Sequence, residues 1–251
     1  MKKIVSFLLF IFVLSNAFFC KAQNQWPDKF IYNETSYSLN YNPLEDYFTK
    51  NPDKKPKTNS PIMSLWRGYI ATFEFSDNQL YLKNIEVPEM DTLNKPKKLD
   101  SIFFKNLKFE QRIPKFKNVN DKIFPGKQKI KIDWFTHLLV VPYGQKVSND
   151  NIGNSVYENY LLFEIHKGRL IKKLDLSLEE FKKFKILQYE SFKKSSGYKK
   201  TKRKLIKRYK NLIDPEICGG INNCVDMFVE GLISENITNY TTKILTNQSS
   251  K

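Results

Sequence analysis

Trp66-Arg67-Gly68-Tyr69-Ile70-Ala71-Thr72-Phe73-Glu74-Phe75, then Ser76-Asp77-Asn78-Gln79, then Leu80-Tyr81-Leu82-Lys83-Asn84-Ile85-Glu86-Val87 is the stretch that decides the fold class. Aromatic and β-branched residues dominate both apolar runs, and four polar residues between them form a turn. The reading is a β-hairpin. Strict alternation fails in its second arm: Leu80, Leu82, Ile85 and Val87 cannot share one face at period two. One extra residue near Lys83-Asn84 restores the phase, so a β-bulge is expected there.

Further strands lie on both sides. Residues 30–39 read as a hairpin about Asn33-Glu34, and Asn42-Pro43 starts a short helical turn through Leu44, Tyr47 and Phe48. Lys50 to Pro61 and Pro88 to Lys98 are Pro- and Lys-rich connections, and the apolar residues of 102–109 form an element of undetermined type. Ile130, Ile132 and Trp134 alternate with polar residues, and Leu138 to Val141 is a buried-looking run ending at Pro142. Tyr143-Gly144 and residues 148–154 read as loop, and Val156–His166 with Leu170–Leu174 as a hairpin about Lys167-Gly168.

The pattern changes after residue 175. Ser177-Leu178-Glu179-Glu180 is a capping box, followed by a helical face of Leu178, Phe181, Phe184 or Lys185, Gln188 and Phe192. Ser195-Ser196-Gly197 breaks it, and a second helix is expected over Lys199–Ile213 with Leu205, Ile206, Tyr209 and Leu212 on one side. A last short helix is expected over Val225–Ile233, ahead of a polar tail from Thr246. The fold class is therefore α+β: an antiparallel β-sheet domain over 23–175, then a basic helical segment over 176–251.

Residues 1–22 read as a signal peptide. Met1-Lys2-Lys3 is a basic start, Ile4–Leu14 an apolar run broken by Ser6, and Cys20-Lys21-Ala22 supplies small residues at cleavage spacing. Cleavage after Ala22 removes Cys20. Cleavage after Ala17 leaves it as an unpaired thiol, and lipoprotein anchoring at Cys20 ranks third because bulky Phe19 precedes it. The expected location is periplasmic or secreted. No second apolar run is long enough to span a bilayer, so any membrane contact is peripheral.

The chain carries a formal charge of +16, and removing residues 1–22 takes away Lys2, Lys3 and Lys21 but no acid, leaving +13. Such a balance favours anionic partners, although Lys, Asn, Ile, Phe and Tyr are also plentiful together in AT-rich genomes. The excess is clustered. Ten Lys or Arg residues and no acid occur between Lys193 and Lys210. On a helix they make a cationic amphipathic segment, and Lys199, Lys200, Lys202, Arg203, Lys204, Lys207 and Arg208 are its candidate contacts with an anionic envelope component or partner protein. Nucleic acid is not expected, since an exported protein rarely meets it.

Cys218 and Cys224 flank Gly219-Gly220-Ile221-Asn222-Asn223, turn-formers that let the chain double back. In an oxidising compartment they read as one structural disulfide closing a small loop, with neither Cys-x-x-Cys spacing nor a nearby His for a metal. No cofactor is implied. His137 and His166 are the only histidines and read as strand-end or surface residues. There is no Gly-x-Ser-x-Gly elbow and no Gly-rich phosphate loop. Two alternatives stay open on the sheet. Trp66, Arg67, Tyr69 and Trp134, with Tyr157, could build an aromatic-cationic binding surface or simply fill a core. Carboxylates such as Glu74, Asp133, Glu158 and Glu164 could serve a hydrolase site.

Leu65-Trp66-Arg67-Gly68-Tyr69, together with Asp133-Trp134-Phe135-Thr136 and Ser155-Val156-Tyr157-Glu158, resembles an uncharacterised family of bacterial exported proteins. The resemblance covers roughly residues 30–175 and supports that domain boundary; it implies no activity and no site residues. Relatives carry a His-Met pair before the Gly of the third motif, where this chain has Asn151-Ile152 before Gly153, which argues against an essential histidine there.

Overall fold

A computed structural model describes residues 25–39, 41–56, 62–89, 115–127, 129–149, 155–210 and 224–245. The expectations for 1–22, for 90–114, for Asn151–Gly153, for Cys218 and for the tail from Thr246 lie outside the described residues.

Two tight hairpins organise the first half. Strands β1 (Asp28–Tyr32) and β2 (Thr35–Leu39) turn at Asn33 and Glu34, with φ of 48° and 62°. β3 (Ile70–Ser76) and β4 (Gln79–Pro88) turn at Asp77 and Asn78, with φ of 51° and 58°. Paired left-handed residues are what a two-residue turn needs to match strand twist. The bulge falls where the sequence placed it: Thr72 opposes Asn84 and Phe73 opposes Leu82, so Lys83 has no opposite residue. Leu80, Leu82, Ile85 and Val87 are all buried as a result.

The sheet is mixed. β1 and β3 run parallel, with Phe30 beside Phe73. A parallel pair requires a crossover, and helix α1 (Pro43–Lys50) supplies it while burying Leu44 and Phe48. The strand beginning at Trp66 is corrected as well. Met63–Leu65 is a 3-10 turn and Gly68 has a φ of 82°, so extension starts only at Ile70. β5 (Phe116–Asn118), helix α2 (Asn120–Ile123) and the two-residue β6 (Ile130–Lys131) follow, both strands pairing with β4. Trp134 therefore sits in a turn instead of a strand.

β7 (His137–Asn149), β8 (Ser155–His166) and β9 (Arg169–Ser177) form a meander. β7 runs through Tyr143-Gly144, expected as loop, by shifting register against β8 at Tyr143/Lys146 and Lys146/Ser148. The strand order is β2-β1-β3-β4-β9-β8-β7. β4 and β9 meet only at hairpin tips: Leu80 N–H donates to Gly168 O at 2.8 Å, and Leu170 N–H to Asn78 O at 2.9 Å. A Cβ on Gly168 would overlap the Ile132 carbonyl, which, with a φ of 75°, explains the glycine.

The sheet curls until β2 lies against β7, where the rings of Tyr37 and Tyr143 are 6.4 Å apart. Its inner face is packed with rings: Phe163 has Phe30 at 5.4 Å, Tyr32 at 5.0 Å and Phe75 at 5.6 Å. Each such pair adds about 0.5–1.5 kcal/mol beyond area burial. The centre of β8, Tyr160-Leu161-Leu162-Phe163, is an unbroken apolar run because both of its faces are covered. Leu161, Phe163 and Ile165 point inward, while Tyr160 and Leu162 meet helix α3 (Leu178–Lys193). Phe181 of α3 stacks on Tyr160 at 4.2 Å.

The capping box is present at the junction: Ser177, the last residue of β9, accepts from Glu180 N–H, and the Glu180 carboxylate accepts from Ser177 N–H at 2.9 Å. Helices α4 (Ser196–Tyr209), α5 (Cys224–Glu235) and α6 (Ile237–Tyr240) complete the chain. They share a small core of Phe192, Leu205, Val229, Ile233 and Ile237. α3 ends at Lys193 and α4 starts at Ser196, so the break expected at residues 195–197 falls at Lys194-Ser195, and Gly197 lies in the first turn of α4.

Candidate functional site

α4 is built from good helix formers, Lys and Arg above all, around a narrow apolar stripe. Leu205 is buried, with Tyr198, Ile206 and Tyr209 half-buried beside it, and this stripe seats the helix on α5. Everything else on α4 is free to be charged. Lys199, Lys200, Arg203, Lys204, Lys207 and Arg208 are exposed.

Lys202 departs from the expected set. Its ammonium lies 2.7 Å from Glu230 and 3.0 Å from Asp226 of α5, and Tyr198 Oη donates to Glu230 at 3.3 Å. Glu230 and then Asp226 raise the Lys202 pKa, and Lys202 in turn holds the Glu230 carboxyl below its usual range. Lys202 thus ties α4 to α5 and is no surface contact. Among the described residues, Lys199, Lys200, Arg203, Lys204 and Lys207 have no ion pair, whereas Arg208 lies 5.8 Å from the Tyr209 ring. Where α3 turns into α4, an open groove of about 550 Å³ brings Lys199, Lys200 and Arg203 opposite Lys193 and Lys194. No acid lines it. Lys193 does pair with Glu190, one turn back on α3, at 2.7 Å.

The aromatic surface does not assemble. Trp66 is 72 % exposed, but Arg67 is only 3 % exposed and Tyr69 is buried. The Arg67 guanidinium donates to Asp28 Oδ2 at 3.1 Å, to the Trp26 carbonyl at 2.8 Å and to the Asn42 side chain. Asp28 Oδ1 also accepts from Ala71 N–H at 2.8 Å. Burial pushes the Asp28 carboxyl up to about 6, against the lowering effect of Arg67. Tyr69 Oη donates to Glu45 at 2.7 Å, and burial raises its pKa. Trp134 is half-buried, its ring 4.7 Å from Tyr47 and its Nε1 donating to the Pro43 carbonyl at 3.2 Å. Tyr157 packs at the edge of the α3-covered face. Arg67, Tyr69 and Trp134 therefore hold α1 and β1 to the sheet.

The carboxylates are equally dispersed. Glu74 pairs with Lys83 at 3.0 Å, Glu158 accepts from Gln145 N–H at 2.9 Å, Glu164 accepts from Ile244 N–H at 3.0 Å, and Asp133 is an exposed turn residue. They do not converge. Among the described residues, no group of three or more His, Cys, Asp or Glu side chains is placed to hold a metal.

One cluster escapes a linear reading. His137, expected at a strand end or at the surface, is the first residue of β7 but is buried there, with its ring 4.3 Å from that of Tyr41. Burial lowers the His137 pKa, and burial likewise raises those of Tyr41, to about 12, and of Asp46, the hydrogen-bond partner of Tyr41. Sequence separation hides this group, since no motif links residues around α1 to the start of β7. Cys224 opens α5, and its expected partner Cys218 lies outside the described residues. No described helix is long and apolar enough to cross a membrane.

Compared with family models, with curated proteins and with solved structures, the chain finds no match.

Proposed function

We propose that this is an exported, non-enzymatic envelope protein that binds an anionic envelope component through the exposed cationic face of α4. One observation carries the reading: Lys199, Lys200, Arg203, Lys204 and Lys207 stand exposed without an acid, although α5 next door supplies two acids to Lys202. A face meant only for solvation gains nothing from such separation of charge. A face meant for an anionic surface gains up to about 1 kcal/mol per cation, an attraction that salt screens. The N-terminal pattern of residues 1–22 supports export, and export makes the Cys218–Cys224 disulfide part of the same reading.

The test is co-sedimentation of the purified protein with vesicles containing phosphatidylglycerol and with wall fragments, at low and at physiological salt. Converting Lys199, Lys200, Arg203 and Lys204 to Ser should weaken retention at least about tenfold. Lys202 is left intact, so packing on α5 is preserved. Retention that is indifferent to these changes and to salt overturns the proposal.

A further inference from the structure

The helical segment meets the sheet at α3 and again at α6, which lies against β7. The two contacts differ in kind. α3 packs on the sheet through apolar side chains, whereas His137, the first residue of β7, stands where α6 arrives. Beyond α6 the chain is tethered separately. Gln188 of α3 donates to Thr241 Oγ1 at 3.0 Å and to the Lys243 carbonyl at 2.8 Å, and accepts from Leu245 N–H at 2.8 Å. Glu164 of β8 accepts from Ile244 N–H at 3.0 Å. α6 can therefore part from β7 without the tail coming loose.

The ring of His137 is enclosed by four elements. In β7 the Leu138 carbonyl accepts from Nδ1 at 3.1 Å, and Ile165 of β8 is the cross-strand neighbour. The rings of Tyr41 and Phe135 lie 4.3 and 6.0 Å away. α6 offers the backbone of Asn239 as a hydrogen-bond partner, and its one titratable side chain is the Tyr240 phenol. α1 contributes Asp46, the charged group among those that act on the ring. Asp46 is half-buried, bonded to Tyr41, and itself under the influence of Lys50 and Glu45. A neutral imidazole suits this enclosure. An imidazolium is deprived of water there, with one half-buried carboxylate as its compensation.

We infer that His137 is an acid-sensitive latch: the neutral ring holds α6 on β7, and protonation of the ring frees α6 while the sheet stays folded. Burial outweighs Asp46 and both backbone bonds, so the His137 pKa is lowered from its ordinary 6.5. The open state thus takes the proton first. Closure is full above pH 6.5 and weakens by up to about tenfold per pH unit below it, until the closed-state value is reached. Asp46 acts in the opposite sense. Burial raises its pKa, so the closed state gains when this carboxylate is protonated, and opening levels off in stronger acid.

Hydrogen exchange on the purified full chain, corrected for intrinsic amide rates and run from about pH 7.5 to about pH 5, tests the latch. The α6 amides should open up to about tenfold more per pH unit below 6.5. Leu162 and Phe163, at the centre of β8, should keep their protection, as should Leu245 on Gln188. His137→Phe retains a buried ring against Tyr41 and should make α6 exchange independent of pH. Asp46→Asn should steepen the climb, since it removes both the charge that steadies the imidazolium and the offsetting proton uptake. Acid-independent α6 exchange in the wild type overturns the latch. So does protection that rises in acid, or a loss shared equally by β8, which is global unfolding. Should His137→Phe fail to fold, Asp46→Asn decides: an unchanged or shallower slope there also overturns the latch.

Discussion

Arg67 and the cations of α4 carry the same charge and are treated in opposite ways. In the sheet, the guanidinium is withdrawn from water and surrounded by Asp28, Asn42 and the Trp26 carbonyl, with Nε left unpartnered. On α4, Lys200, Arg203, Lys204 and Lys207 stand in water while the neighbouring acids, Asp226 and Glu230, pair with Lys202. Burying a charge is expensive, so Arg67 earns its place only as a positional lock joining the segment before β1 to the approach to β3. Exposed lysines cost little and lock nothing. The sheet uses charge to hold its own chain, and the helical segment leaves charge available to something else.

The largest test of this contrast is Arg67→Met, which leaves Asp28 buried and uncompensated and should cost about 3–5 kcal/mol in denaturant unfolding. Adding Asp28→Asn should recover part of that loss, since no lone charge then remains. A pH experiment probes the same lock. The folded-state pKa of Asp28 is raised to about 6 from 3.8, so its contribution is full below about pH 4 and is lost as pH rises through about 6. The stability difference between the wild type and Asp28→Asn should therefore shrink with rising pH across that window, by at most about 3 kcal/mol. A difference that grows would refute the assignment.

The smallest effect compares the two serine caps. Ser177→Ala should cost about 1 kcal/mol because it dismantles a working capping box. Ser195→Ala should change stability by less than about 0.5 kcal/mol, for its hydroxyl caps nothing. Equal losses at both positions would show that Ser195 is a structural cap after all.

Much of the scaffold was legible because it is written in local chemistry. The Asn33-Glu34 and Asp77-Asn78 turns, the bulge at Lys83 and the box at Ser177 each depend on a few adjacent residues. What the sequence concealed depends on distance. The parallel placement of β1 beside β3 needs the path of α1. Arg67 looks like a surface cation until Asp28 is seen across the sheet, 39 positions away in sequence. Tyr41, Asp46 and His137 converge without a shared motif. At the candidate site, the basic tract was plain in the sequence, but the removal of Lys202 by Glu230 is visible only once α5 is in place.

The meeting of β4 and β9 at their hairpin tips has a mechanical consequence. The sheet amounts to two plates riveted at one corner, and the oily interior between them is the glue along the remaining seam. Amide exchange at Leu80 and Leu170 would therefore time the parting of the plates, an event that fraying at the free margins of either plate leaves unreported.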